Sequence, residues 1–330
     1  MCAVHAAHDT QLPLAELERA FRGLLAMGIR VVEISGGEPF LRRDLPDLLA
    51  LLDRLGFAFS FTTNGTAVTT EGLNALCRSR GLLQVSMSLD SLDRDRYRQL
   101  RGRDQLDRAL GGLDSLERAR LPAPLKLNFA MSRHNHAETP LLLDLARDHG
   151  LFLSVFPVNQ GPGAHRSDGM AFEAAMQERD RMALRFEELA RQRRHGAPLW
   201  EPSAFYLAAA RFLRREALAP CGAGELYLDL RADGSVAPCV ELSPVATIDD
   251  LGSERAAEAL RAARDAVDRC RATTPCCYTC TVNLAETGRH PVAYALEQAR
   301  VMLTARRRGR TADPLAPGPG LPGSTTGRKA

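Results

Sequence analysis

A chain of 330 residues can fold as one large core or as a sizeable domain with a smaller companion, and the second arrangement is the one expected here. Its 43 Lys and Arg against 40 Asp and Glu leave a net charge of +3, which builds no single-signed field and argues for neither nucleic acid nor membrane as a partner. No segment approaches the roughly 20 apolar residues that cross a bilayer, and the opening MCAVHAAHDT has no apolar signal-peptide core, so the expected location is cytoplasmic.

The first half alternates branched, apolar runs with amphipathic helical patterns, which is the signature of repeated βα units around a parallel sheet. In chain order, a helix over Leu14 to Met27 leads to a strand over Val31 to Ser35, and a helix over Leu45 to Leu55 leads to a strand over Ala58 to Thr62. A helix over Thr70 to Cys77 precedes a strand over Leu82 to Ser88, and a short helix follows at Arg94 to Leu100. Strands at Leu125 to Ala130 and Leu151 to Phe156 enclose a helix over Pro140 to His149. All five strands read as apolar on both faces, as in a covered parallel sheet. Asn135 with Glu138 three residues later reads as a capping box. The charged helical stretches Met170 to Gly196 and Ser203 to Glu216 read as a linker, with the basic run Arg191 to Gly196 as a solvated helix end. A last helix over Val292 to about Arg308 precedes a tail from Thr311 with four Pro and four Gly in 20 residues, a composition that cannot bury a core.

Chemistry gathers at the ends of these strands. Ser35-Gly36-Gly37-Glu38-Pro39 closes the first, and its two glycines allow a ligand close approach to the backbone while Glu38 supplies charge. Thr62-Thr63-Asn64-Gly65 closes the second, Ser86-Met87-Ser88-Leu89-Asp90 closes the third, and Asn128 lies in the fourth. Each feature has a plain reading, Asn64-Gly65 as a turn and Asp90 as the cap of the helix from Arg94. Their appearance in order, at the C-terminal ends of successive parallel strands, is where barrel folds build sites.

With Gly36, Gly37, Glu38 and Pro39 in that setting, residues 1 to 160 resemble the radical S-adenosylmethionine (radical SAM) enzymes, whose Gly-Gly-Glu-Pro segment holds the methionine amino group of the cofactor. The resemblance implies an α/β fold, a partial parallel (β/α)6-type barrel of which about five strands are present, with a small cysteine-rich C-terminal domain. It implies that Asn64 and Ser88 line the adenosine and ribose pocket, and that Asp90, Asn128 and Arg133 contact cofactor or substrate. It also implies a C-x3-C-x2-C segment binding a catalytic 4Fe-4S cluster, thiolates being soft, electron-rich ligands. Cys2 stands where the third cysteine belongs, after Met1. The other two cysteines and the family's first strand are missing from the sequence, so the expectation is an N-terminally truncated chain. A Cys2-His5-His8 metal turn is the minor alternative, and Cys77 reads as a small buried hydrophobe.

Six of the eight cysteines lie between Cys221 and Cys280, and in a reducing compartment such clustering favours metal ligation over disulfides. Cys221 and Cys239 flank Gly234 with twelve and four residues between, and Leu226 to Leu230 with Ser235 to Ala237 read as a hairpin that brings both sulfurs to one end. Cys270-x5-Cys276-Cys277-x2-Cys280 supplies the further thiols. The pattern resembles the SPASM region, or its shortened relative the Twitch domain, and implies one auxiliary 4Fe-4S cluster; a four-cysteine zinc site is the alternative. The expected organisation is a barrel over 1–160, a linker over 161–220, the cysteine domain over 221–290, a helix over 291–310 and a disordered tail over 311–330. The implied activity is reductive cleavage of S-adenosylmethionine to a 5'-deoxyadenosyl radical that abstracts hydrogen from a peptide or small-molecule substrate, with an electron donor such as flavodoxin or ferredoxin. No catalytic residue is singled out, and the rival reading is a catalytically silent zinc or iron-sulfur scaffold.

Overall fold

Five parallel strands form one sheet in the order β1 (Val31–Ile34), β2 (Ala58–Thr63), β3 (Leu82–Ser88), β4 (Leu125–Met131), β5 (Phe152–Pro157). The computed structural model describes residues 11–159, 176–273, 276–279, 282, 288–289 and 291–309. Sequential order with parallel pairing requires a crossover between each pair of strands, and helices supply them. They are α1 (Leu14–Ala26) ahead of β1, then α2 (Leu45–Leu55), α3 (Thr70–Arg78), α4 (Arg94–Arg101), α5 (Leu106–Arg118) and α6 (Thr139–Asp148) between strands. The observed strand ends lie within a residue of those expected from the apolar runs.

The sheet is two-faced, which departs from the expected apolar character on both sides. Phe59, Phe61, Val85, Met87, Leu127 and Phe129 are fully buried in the core shared with the helices, each burial contributing roughly 1.5–3 kcal/mol. Side chains alternate along a strand, and the register Ser60 to Gln84, Ser86 to Lys126 and Ser88 to Asn128 to Ser154 therefore aligns polar residues on the opposite face. The Thr62 hydroxyl donates to Glu33 Oε1 across that face at 2.9 Å. A polar inner face is what a barrel needs if its interior holds a ligand rather than packed hydrocarbon.

Two local expectations are corrected. Asn135 and Glu138 form no capping box, because both side chains are drawn into tertiary bonds. Asn135 accepts from Ser132 N at 2.7 Å and donates to the carbonyls of Asp90 and Ala130, while Glu138 accepts from Ser91 Oγ and Leu92 N and pairs with Arg96. The cap of α4 is Asp93, which accepts from Arg96 N at 2.8 Å, and not Asp90. Cys77 is half-buried and its thiol donates to the Ala119 carbonyl at 3.3 Å.

Within the stretch read as a linker, the residues from Met176 on pack against the sheet. After α7 (Met176–Arg194), Leu199 bridges Leu153 in parallel, with Leu153 N donating to Pro198 O and Trp200 N to Leu153 O. The chain thus adds a short sixth parallel position beside β5 before entering α8 (Ser203–Leu213). Leu199, Phe205, Tyr206 and Phe186 are fully buried there. The basic end of α7 is not wholly solvated either, since Arg193 is 0% exposed and donates to the Glu201 carbonyl at 2.9 Å.

Beyond it, β6 (Asp229–Leu230), β7 (Ser235–Ala237) and β8 (Ala246–Thr247) make a small antiparallel sheet, followed by α9 (Glu254–Ala262), α10 (Arg264–Thr273) and α11 (Pro291–Gly309). The β6–β7 hairpin turns at Gly234, whose φ of +81° only glycine adopts without strain. No helix among the described residues is long and apolar enough to cross a membrane.

Candidate functional site at the strand ends and the cysteine cluster

The turn after β1 opens onto space. Gly36 has φ +122°, and a Cβ built on Gly36 or Gly37 meets no atom within 4 Å, so the backbone here is approachable from outside. Glu38 does not offer a free charge to that space. Its Oε1 accepts from Phe40 N at 3.1 Å and Thr63 Oγ1 at 2.7 Å, and its Oε2 from Asn64 N at 2.7 Å, so the carboxylate staples the first strand-end loop to the second. Pro39 begins a single 3-10 turn, Pro39–Leu41, that buries Phe40 beside Phe61.

The second loop is shaped by its own side chains. Asn64 Oδ1 accepts from Thr66 N and Thr66 Oγ1 at 2.8 and 2.7 Å, the asparagine turn its sequence suggested. Gly65, at φ +75°, lies so close to α5 that a Cβ on Gly112 would stand 2.0 Å from its carbonyl oxygen. Ser88 and Asn128 face each other in register across β3 and β4. Asn128 Oδ1 is buried and has no hydrogen-bond partner among the described residues, a costly state that a ligand donor relieves.

Asp90, which the resemblance offered as a cofactor or substrate contact, is bonded within the protein. It is 1% exposed, with Oδ1 accepting from Ala130 N at 2.9 Å and Oδ2 paired with Arg101 Nε at 2.7 Å. Its carboxylate therefore ties the ends of β3 and β4 to α4. Arg133 lies just past β4, half-buried, its Nε against His134 Nε2 at 3.2 Å.

Sequence reading missed the base of the inner face. Lys126, two residues before Asn128 on the same side of β4, is buried with its Nζ 5.3 Å above the Trp200 ring. Burial pushes its pKa down, against the pull of Glu201 and Glu33. Glu201, buried, accepts from Ser154 Oγ at 2.6 Å and Tyr206 OH at 3.1 Å. A lysine inside an apolar strand was the available signal.

The cysteine-rich segment is strapped together by side chains on several elements. Arg264 and Arg271, on the helix that carries Cys270, donate to the carbonyls of Cys221 at 3.0 Å and Cys276 at 2.8 Å, and Arg271 also reaches Ala219 O. Tyr278 OH donates to Glu241 at 2.5 Å, joining the Cys276 turn to the loop after Cys239. Burial pushes the Cys239 thiol up to about 12, the bond from Glu241 N opposes this, and negative charge on Cys276, Cys221 and Cys270 adds to the rise. Among the described residues, no three His, Cys, Asp or Glu side chains stand close enough to close on one metal ion. Cys277 is 0% exposed, and burial pushes its thiol up strongly. Cys2 and Cys280 lie outside the described residues.

Comparison with known proteins covers both regions unequally. The radical SAM superfamily model matches residues 1–146. GTP 3',8-cyclase of Marinobacter nauticus is 34% identical over 145 residues, 43% of this chain and 43% of that protein. GTP 3',8-cyclase of Paenarthrobacter nicotinovorans is 34% identical over 209 residues, 61% of this chain and 54% of that protein. The chain spans about half the length of the curated relatives it matches. Among solved structures, Streptococcus suis SuiB shares the fold with a TM-score of 0.60 at 17% identity over 79% of this chain and 64% of SuiB. anSMEcpe with bound AdoMet and a peptide shares it with a TM-score of 0.57 at 12% identity, over 93% of this chain and 95% of that one. The Gly36–Pro39 turn and strands β1 to β4 thus lie within the segment that the radical SAM superfamily model matches.

Proposed function

We infer that the chain is a radical SAM oxidoreductase of the maturase type, binding S-adenosylmethionine across the C-terminal ends of β1 to β4 to abstract hydrogen from a peptide or small-molecule substrate. The observation that carries this reading is the unpartnered, buried Asn128 Oδ1 beside Ser88, in the same array of strand ends as the open Gly36–Gly37 turn. A polar acceptor awaiting a donor and a glycine cradle awaiting bulk both fit the nucleoside and methionine ends of the cofactor. Gly36 to Pro39 would take the methionine end, Asn64 and Ser88 the adenosine and ribose, and Asn128 a polar edge. A reduced catalytic cluster, toward which the sequence offers Cys2, would supply the electron for reductive cleavage of S-adenosylmethionine. The protein's own part is placement: Glu38 fixes the distance between the two loops, and Asp90 with Asn135 keeps the ends of β3 and β4 in line. A small electron-transfer protein such as flavodoxin or ferredoxin would supply the electron.

The cysteine segment fits an auxiliary 4Fe-4S cluster better than zinc. Four-cysteine zinc sites usually carry two short C-x2-C knuckles, and the sequence has one, Cys277 to Cys280. A cluster lets each thiolate bind a different iron, and Cys239 feels the charge of Cys276, Cys221 and Cys270.

The test is anaerobic reconstitution of the full chain with iron and sulfide, followed by calorimetry with S-adenosylmethionine and chromatography for 5'-deoxyadenosine under reducing conditions. Binding that weakens at least tenfold in Asn128→Leu supports the site. Affinity unchanged by that substitution refutes the site.

A further inference from the structure

The sixth position is the least secured part of the parallel wall. Strands β1 to β5 pair with one another over four to six residues, whereas Leu199 makes a single bridge to Leu153. So few backbone bonds leave a segment open to local release. The residues just after the bridge nevertheless reach the inner face. The Trp200 ring lies 5.3 Å from Lys126 Nζ and packs edge-on against Phe152, and the buried Glu201 accepts from Ser154 Oγ. We propose that the C-terminal helix α11 is a strap that seats this wall, and that Glu297 is the positioning residue through which it sets Trp200 and Glu201 against the interior. The inference goes beyond the reading of the site and stands whether or not the interior takes S-adenosylmethionine.

The wall segment hangs between two anchors, and α11 is bonded to both. At the far end α8 begins at Ser203, and its N-cap, Pro202, offers no side-chain acceptor. Glu297 fills that place from α11, accepting from Ser203 N at 2.8 Å and Ser203 Oγ at 2.5 Å. A carboxylate there meets both the free N–H groups and the positive end of the helix dipole. At the near end α7 closes with Arg193, fully buried, whose Nε donates to the Glu201 carbonyl at 2.9 Å and whose Nη2 donates to Gln298 Oε1 at 2.7 Å. Arg300 Nη1 donates to the Arg194 carbonyl, the next residue along. Ser203 and Arg193 thus bracket Trp200 and Glu201, and neighbouring side chains of one helix hold both brackets.

The seat is mainly polar. Val292 and Leu296 of α11 are 71% and 68% exposed, and Val301 is the buried large apolar residue of the helix among the described residues. A helix held by one apolar residue and a few side-chain bonds can be released without dismantling the barrel core.

Trp200 is the protein's one tryptophan, so its fluorescence reads the wall directly. Emission spectra and hydrogen exchange should be compared in the full-length wild type, Glu297→Ala, Glu297→Gln and the exposed-site control Val292→Ala. In Glu297→Ala the emission should move to longer wavelength as the indole meets water. Exchange at the Trp200 amide, which donates to the Leu153 carbonyl, should accelerate about tenfold or more, while the Phe59 and Val85 amides of β2 and β3 keep wild-type rates. Glu297→Gln, which retains an acceptor for the Ser203 N–H, should fall between wild type and alanine, and Val292→Ala should match wild type. Unchanged emission and exchange in Glu297→Ala overturn the strap. Acceleration spread equally to Phe59 and Val85 also overturns it, because α11 would then stabilise the whole fold rather than this wall.

Discussion

Removing the carboxylate of Glu38 should unfasten the two loops that frame the cofactor site. Of its three bonds, that from Phe40 N is local, and those from Thr63 Oγ1 and Asn64 N reach residues 25 and 26 positions away in sequence. Bonds to a charged acceptor are worth roughly 1.5–3 kcal/mol each, and bonds sharing one group do not add fully, so Glu38→Ala should cost about 2–4 kcal/mol in all. Glu38→Gln is gentler. With its oxygen toward Asn64 N and its amide nitrogen toward Thr63 Oγ1, which can turn to accept, only the longer bond from Phe40 N is lost, a cost of about 1 kcal/mol. Urea denaturation should show a lower midpoint at unchanged slope in the order wild type, Gln, Ala. Amide exchange at Asn64 should rise most in the alanine variant. If Glu38→Ala unfolds at the wild-type midpoint with Asn64 exchange unaltered, the carboxylate does not hold the loops, and its role as a direct ligand contact returns.

Three further outcomes are expected. A Cβ at Gly37 meets no protein atom within 4 Å, so in Gly37→Val stability should stay within about 0.5 kcal/mol of wild type while S-adenosylmethionine affinity by calorimetry falls at least tenfold. Gly112→Ala drives a methyl group against the Gly65 carbonyl, a backbone atom that cannot rotate away, and should lower stability by about 1–3 kcal/mol while displacing the Asn64 loop. The depressed pKa of Lys126 means that the unfolded chain binds its proton more tightly than the folded one, so this lysine's contribution to stability is fully present only above the ordinary pKa of 10.5 and is lost as pH falls through the depressed folded value. Wild-type stability, measured by denaturant between pH 7 and 10, should therefore rise relative to Lys126→Met; parallel curves would contradict the burial argument.

The strands were legible because their branched apolar runs are long and bounded by polar strand ends such as Ser35 and Asn64. The glycine turn and the cysteine spacing were legible as motifs. What sequence hid were contacts made at a distance. Leu199 makes a single parallel bridge, too short for any periodicity, so a sixth barrel position read as linker. Asn135 and Glu138 carry the letters of a capping box, but partners 42 to 47 residues away outcompete the local backbone. Glu38 and Asp90 were read as charges facing a ligand, and their protein partners, 25 and 40 residues off, could not be seen in a linear string.

The C-terminal helix sets an order of assembly. Ser203 opens α8, and its N–H and hydroxyl, at an end where helices lack internal partners, are both taken by Glu297 at 2.8 and 2.5 Å, while Gln298 receives the fully buried Arg193 at 2.7 Å. During synthesis these groups emerge 94 to 105 residues before their partners. A nascent chain that has built all five long strands still carries an uncapped α8 and a guanidinium bonded through the Glu201 carbonyl but not yet to Gln298, so the packing around α8 is completed only when residues near 297 leave the ribosome.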